Sequence, residues 1–376
     1  MEKYKLTMRK IFLITERRAD YSRFKPILDI IEKDKELDYD LVVTGLHLKK
    51  EHGNTINEIK KDGFKIFSTF EMFLENEDSG AAMVRSFSNA LKEVTYALES
   101  SNPDIILSGF DIAANFAVTI AGAHMNIPVA HIQGGEVTGT IDESIRHAMT
   151  KFSHYHFAAN YDAKKRIEKL GEIPEHVFDV GCPSVDAILQ VKDNPDILNK
   201  YGLEKKFFIM LQHPVTSEFN DSEDQITCTI DAIIQSGVNA LIILPNNDAG
   251  FSKIIEKIKS TKLKYVDSLS IDDYVNLMKR CQALIGNSSS GIHETATFNI
   301  PTINIGTRQQ GRLRPNNVID VDYNKNEILN AINKCKNLKL EHCDKIYGLG
   351  DSSNKIVNLL KSININSEII QKKITY

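Results

Sequence analysis

The residues from His131 to His147, HIQGGEVTGTIDESIRH, are of types that move protons and hold polar ligands. His131, Gln133, Glu136, Asp142, Glu143, Arg146 and His147 crowd around Gly134, Gly135 and Gly139, where a core strand feeding a core helix would need apolar periodicity. Carboxylates and imidazoles this close together can give and take protons within one cavity. The run opens on a short apolar strand, 129–132, passes glycines that permit backbone conformations closed to other residues, and enters a helix near Asp142. The cluster therefore falls at the carboxyl end of a strand, where open α/β sheets bind ligands. A polar loop with a helix cap is the plainer reading of the same residues.

A second cluster, GNSSSGIHE, runs from Gly286 to Glu294. An apolar strand ends at Gly286 and serines then open a helix, whose free N–H groups and dipole favour an anion. Ser288 and Ser289 add hydroxyl donors, and Glu294, two turns into the expected helix, can accept hydrogen bonds from a ribose diol. Plain capping by Ser or Asn competes with this reading. After the next strand comes GTRQQGR, where Arg308 and Arg312 are planar, permanently charged donors able to reach a diphosphate. A nucleotide-diphosphate site in the second half is expected.

Positioning these residues falls to alternating strands and helices. Apolar strands are expected at 10–15, 39–44 and 104–108, with a helix from 19 to 33 capped by Asp20. The clearest helix, 81–100, repeats Val84, Phe87, Leu91, Val94 and Leu98 at spacings of three and four, which predicts one buried face. The continuous apolar run at 104–108 marks a parallel sheet covered on both sides. In the second half, strands at 207–211, 240–244, 263–266, 283–286 and 302–305 alternate with helices. The expected class is α/β, with two parallel-sheet domains facing a cleft, residues 1–186 and 187–376. The final helix, 352–362, is placed to pack back on the first domain.

At 376 residues the chain exceeds the size at which one core keeps growing. A charged fraction of 26% and a net charge of −4 suggest no nucleic-acid partner. No apolar run approaches the roughly 20 residues that span a bilayer, and MEKYKLTMRK lacks the apolar stretch of a signal peptide, so a cytoplasmic location is expected. The cysteines, Cys182, Cys228, Cys281, Cys335 and Cys343, are spread out with no CxxC, which suggests neither a disulfide framework nor a zinc site. The adjacent aspartates Asp272 and Asp273 follow Ser270 at a helix start, where acids favour the dipole, so no metal is expected there.

Read together, RADYS at Arg18–Ser22, TGLHL at Thr44–Leu48, GNT at Gly53–Thr55, the His131–His147 run, GCPS at Gly181–Ser184, QHPVT at Gln212–Thr216, PNNDAG at Pro245–Gly250, GNSSSGIHE and GTRQQGR resemble the UDP-N-acetylglucosamine 2-epimerases. Within that superfamily the chain is similar to the hydrolysing branch, which releases N-acetylmannosamine and UDP for sialic-acid synthesis. The resemblance implies two Rossmann-like domains of the GT-B type, with nucleotide on the second and sugar facing the first. It implies a UDP-sugar partner, no cofactor, and a homo-oligomer, dimer or tetramer.

The implied chemistry is elimination of UDP to a 2-acetamidoglucal, followed by addition of water with C2 inverted. It needs a base near C2, an acid or water-positioner near C1, and donors for the departing diphosphate. By resemblance, Asp111 and Asp142 match the catalytic carboxylates and His213 the imidazole of QHPV, while Arg18, Ser288, Ser289, Glu294 and Arg308 match nucleotide ligands. His47 and His131 are further candidates, each equally readable as a buried structural histidine.

Three departures touch the expected sugar. GFDI, Gly109–Ile112, stands where relatives read HGDR, keeping only Asp111. Gln133 replaces the glutamate of HIEGG; as a catalytic-site candidate it can hold a hydroxyl or water but cannot accept a proton. Glu16 replaces the glycine of TGTR. The alternatives these leave open are hydrolysis of a UDP-2,4-diacetamido-trideoxy sugar in legionaminic-acid synthesis, a GT-B glycosyltransferase needing an acceptor, and a catalytically weakened nucleotide-sugar-binding protein.

Overall fold

The computed structural model describes residues 8–50, 53–73, 79–246 and 248–376. Residues 1–7 of the stretch read for a signal peptide, and Asn247 of PNNDAG, lie outside the described residues.

Short β-rich apolar runs make two sheets in which every pairing is parallel. The first comprises β1 (Arg9–Thr15), β2 (Leu37–Val43), β3 (Ile66–Thr69), β4 (Ile105–Gly109), β5 (Val129–Ile132), β6 (Tyr155–Ala158) and β7 (Val177–Asp179), ordered 3-2-1-4-5-6-7. The second comprises β8 (Phe208–Leu211), β9 (Ala240–Ile243), β10 (Lys264–Val266), β11 (Leu284–Gly286), β12 (Thr302–Ile305) and β13 (Val318–Val321), ordered 10-9-8-11-12-13. The α/β class expected from the sequence is therefore observed. Five strands were expected in the second half; the sixth, β13, reads VIDV at a sheet edge, where Asp320 faces outward and breaks the apolar run.

Each sheet is covered on both faces. Ile11, Leu13, Leu107 and Ile132 meet Phe24, Ile27 and Leu28 of the helix Arg18–Ile31, while Phe12, Ile14 and Ile106 meet Val94, Ala117 and Val118 of the helices Gly80–Ser101 and Ala113–His124. Full burial of such side chains contributes about 1.5–3 kcal/mol each, which holds the strand ends in place. One expected core residue is placed differently: Val84 is 66% exposed and looks into the cavity described below. Asp20 is the third residue of its helix and reaches back to the N–H groups of Glu16 and Arg17, both 2.8 Å away, so it closes a capping box from inside the helix.

The chain passes between the sheets twice. The helix Pro183–Gln190 leads out of the first, and the helix Ser352–Ser362 returns Ile356, Val357 and Leu360 to the first sheet's core. Asp186 joins the crossings by accepting from the N–H groups of Ser352 (3.2 Å) and Ser353 (2.7 Å). No helix among the described residues is long and apolar enough to cross a membrane.

Candidate active site

Both sheets reverse their strand order beside the first strand, between β1 and β4 and between β8 and β11. Loops there splay apart and leave a crevice at the carboxyl strand ends. The two crevices face one another across a cavity of about 1200 Å³, lined by residues from both halves.

After β4 the chain turns through left-handed backbone at Phe110 (φ 71°) and Asp111 (φ 54°), a conformation costing roughly 1–3 kcal/mol per non-glycine residue. The turn aims Asp111 at Arg146 of the helix Ile141–Phe152. Arg146 Nε donates to Oδ1 at 2.8 Å and its NH2 to Oδ2 at 2.5 Å, while NH1 donates to the Glu136 carbonyl at 2.9 Å. Arg146 is only 1% exposed, and its bidentate pair fixes the position of the Asp111 carboxyl.

Thr140 caps that same helix, its hydroxyl accepting from the Asp142 N–H at 3.2 Å, so the capping role does not belong to Asp142. The Asp142 carboxyl lines the cavity instead. Burial raises its pKa, Asp111 and Asp248 reinforce the rise, and Arg308 opposes it. Just before it, the Gly139 N–H donates to the Arg308 carbonyl at 3.1 Å across the cleft; a Cβ on Gly139 would lie 2.1 Å from the Thr307 oxygen, so only glycine fits. Gln133, at φ 61°, also lines the cavity, accepting from Arg23 NH1 at 3.1 Å and donating to Cys182 Sγ at 2.9 Å.

On the opposite wall the His213 backbone and the Asn287 side chain exchange two hydrogen bonds, 2.7 and 2.8 Å. The His213 ring accepts the Asn246 N–H at Nδ1, 3.3 Å away, which puts the ring proton on Nε2. Burial, then the Arg308 charge, pushes the His213 pKa down to about 3, so the ring is neutral at neutral pH. Arg308 NH1 donates to the Asn287 carbonyl at 3.1 Å, and its charge is felt by Asp142, Asp248 and His213 alike.

The serine motif differs from expectation. The helix it opens spans one turn, Ser290–His293, and Glu294 is its C-cap, not a residue two turns in. Ser288, Ser289 and Glu294 still line the cavity; Glu294 accepts from Ser290 Oγ at 2.8 Å, and burial raises its pKa. Arg18 spans the cleft, donating to Ser268 Oγ at 2.6 Å and to Glu58. Arg312, read as a second diphosphate ligand, is ion-paired: Nε lies 3.0 Å from Glu136 Oε2, and His293 Nε2 lies 3.6 Å from the same oxygen. Burial alone would raise the Glu136 pKa, but His293 and Arg312 hold it down at about 2.

His47 and His131 are not brought to the cavity. His47 is buried between the hydroxyls of Thr15 (3.0 Å) and Thr55 (2.5 Å), and His131 packs under Gly134 with Thr150 Oγ1 3.4 Å from Nδ1. Burial lowers both pKa values, that of His47 to about 3.

Of three further lining residues, sequence reasoning flagged Glu16 and missed Arg17 and Arg23. Glu16 accepts the Ala114 N–H at 3.0 Å at a helix start and pairs with Arg17 at 2.8 Å; its departure from TGTR was the available signal. Arg17 reaches Asp248 across the cleft at 3.7 Å. Arg23, the residue directly after the RADYS motif, carried no signal of its own.

A family profile described as UDP-N-acetylglucosamine 2-epimerase matches residues 29–361. A UDP-N,N'-diacetylbacillosamine 2-epimerase (hydrolyzing) of Legionella pneumophila is 37% identical, covering 97% of this chain and 99% of that protein. A UDP-N-acetylglucosamine 2-epimerase of Neisseria meningitidis is 31% identical, covering 95% of each. The crystal structure of Methanocaldococcus jannaschii UDP-GlcNAc 2-epimerase with UDP-GlcNAc and UDP superposes with a TM-score of 0.81 at 19% identity, over 93% of this chain and 99% of that one, a likeness of fold.

Proposed function

The chain belongs to the UDP-N-acetylglucosamine 2-epimerase family, and from that membership we propose that it is a hydrolysing 2-epimerase of a UDP-2,4-diacetamido-trideoxy sugar, releasing UDP and the free sugar inverted at C2. The coarser activity, that of a nucleotide-sugar 2-epimerase, follows from the family.

The observation that carries the substrate is the apolar wall beside Asp111. Phe87 and Phe116 stack at 5.1 Å, Phe110 packs edge-on against Phe24 at 4.9 Å, and Ile112 and Met83 line the same cavity. A 6-deoxy sugar offers this wall a methyl group, and burying a carbon of that size gains about 0.8 kcal/mol. A hydroxymethyl group would instead leave its hydroxyl without a partner there, at a cost of about 1–3 kcal/mol. The two effects act in the same direction. The 37% identical relative, named for a diacetamido sugar, supports the same choice.

In this reading Asp142 takes the proton from C2 as the C1–O bond breaks and its electron pair leaves on the diphosphate. Arg308, Ser288 and Ser289 meet that charge, with neutral His213 donating from Nε2. Water then adds its oxygen to C1 as its proton passes to Asp111, C2 takes a proton from solvent on the opposite face, and Asp142 and Asp111 return theirs to solvent as the products leave. Residues 1–186 would carry the sugar and the proton transfers, and 187–376 the nucleotide. The raised pKa of Asp142 moves a carboxylate toward the working pH of a base.

The 31% identity to the Neisseria enzyme favours a second reading, hydrolysis of UDP-N-acetylglucosamine to N-acetylmannosamine. Incubating the protein with each donor and identifying the sugar by NMR separates them. We expect kcat/KM at least about tenfold higher for the diacetamido donor, the factor 1.4 kcal/mol provides. The reverse order assigns UDP-N-acetylglucosamine, and release from neither donor favours a binding protein.

Arg308→Ala is expected to weaken UDP binding by about ten- to a hundredfold, the worth of a charge-assisted hydrogen bond. Folding should change little, because the Arg308 guanidinium makes a single hydrogen bond among the described residues, to the Asn287 carbonyl, and the main-chain bond to Gly139 survives the substitution. Calorimetric titration with UDP checks this; an unchanged dissociation constant would place the diphosphate elsewhere.

A further inference from the structure

Arg23 lines the cavity from the helix Arg18–Ile31 and makes no salt bridge among the described residues, although its charge is felt by Glu294. One hydrogen bond, 3.1 Å to the Gln133 amide oxygen, and stacking at 5.1 Å over the Phe110 ring hold it in place. The other guanidinium N–H groups are left for a ligand. Gln133 is fixed in turn by its 2.9 Å bond to Cys182, so its oxygen cannot swing away from Arg23.

A glutamate at position 133 would stand at this distance as a counter-ion and neutralise Arg23. With glutamine there, the guanidinium is met only through its one amide hydrogen bond and the field of Glu294, and its remaining N–H groups face the part of the cavity assigned above to the sugar. The sugar of a nucleotide sugar carries no anion to meet it, and the diphosphate is drawn to Arg308 on the opposite wall. What remains is a strong neutral acceptor, and an amide carbonyl is the strongest such group on the proposed substrate. The apolar wall that begins at Phe110 lies next to the guanidinium, as the C6 methyl lies next to C4 on the sugar ring.

We propose that Arg23, positioned by Gln133 and Phe110, binds the carbonyl of the C4 acetamido group and selects substrates that carry one. The assignment rests on the substrate reading above.

The test compares two UDP donors that share the 6-deoxy group and differ only at C4, one bearing an acetamido group and the other a hydroxyl. Arg23→Met should lower the ratio of their kcat/KM values by about ten- to a hundredfold, since a hydrogen bond to a charged group is worth that much. Gln133→Glu should lower the ratio in the same direction, by occupying the guanidinium. The ratio is taken on one protein sample, so incomplete folding does not alter it. If the wild-type enzyme prefers the 4-acetamido donor and Arg23→Met keeps that preference, the Arg23 assignment is overturned while the substrate reading stands. A wild-type enzyme indifferent to the C4 group overturns both.

Discussion

Asp142→Asn should slow sugar release by about a hundred- to ten-thousandfold, the usual cost of losing an acid-base group. UDP affinity should stay within a few fold, because the donors assigned to the nucleotide, Arg308 and the Ser288 turn, lie on the opposite wall. Stability should hardly move. Thr140, not Asp142, caps the helix, and the lost interaction of a first-turn acid with the dipole is worth only about 0.3–1 kcal/mol. The pH profile supplies a second check. A base works only when ionised, and burial raises the Asp142 pKa, so the wild-type rate should fall as pH drops through a value above the ordinary carboxylate range. The mutant's residual rate should lack that fall. Near-normal turnover would remove Asp142 from the mechanism.

Asp111→Asn is expected to lose comparable activity and, unlike Asp142→Asn, to unfold at a lower temperature. Arg146 is 1% exposed and gives two hydrogen bonds to Asp111, so removing the negative charge leaves a buried cation with a poorer partner. Breaking a buried pair in this way costs about 3–5 kcal/mol, and the amide oxygen, which still accepts one bond, puts asparagine at the lower end. Thermal unfolding with and without UDP measures the stability term, and single-turnover sugar release measures the chemical one. An unchanged melting temperature would mean that Arg146 is satisfied without Asp111; an unchanged rate would make Asp111 a structural partner alone.

These expectations mix what the chain shows in one dimension with what only the fold brings together. Strands such as β4 and β5 were legible because a strand covered on both faces must be continuously apolar, and the polar residues just beyond them then had to sit at a sheet's carboxyl edge. Edge strands escape that logic, as VIDV in β13 shows. Helical periodicity placed Val84 on an apolar stripe but could not tell a core from a cavity wall, since both are apolar. The bond between Asp111 and Arg146 joins residues 35 apart, and only the neighbouring positions of β4 and β5 make it short. Arg308 and Arg312 belong to one motif and both reach the cavity wall, yet past Gly311, at φ 77°, Arg312 is ion-paired to Glu136 whereas Arg308 meets only the Asn287 carbonyl. Nothing in the order of residues distinguishes them.

The backbone bond from Gly139 to Arg308 ties the loop before the Asp142 helix to the loop that presents Arg308, with no side chain between them. Recombination between relatives therefore cannot treat the two halves as interchangeable cassettes. A chimaera joining the first half of this chain to the second half of a distant relative would carry a foreign 307–312 loop against its own 136–142 loop. The mismatch would fall on main-chain atoms, where point substitutions offer little repair. Exchanges that move both loops together should keep activity, and those that split them should lose it even when each half folds.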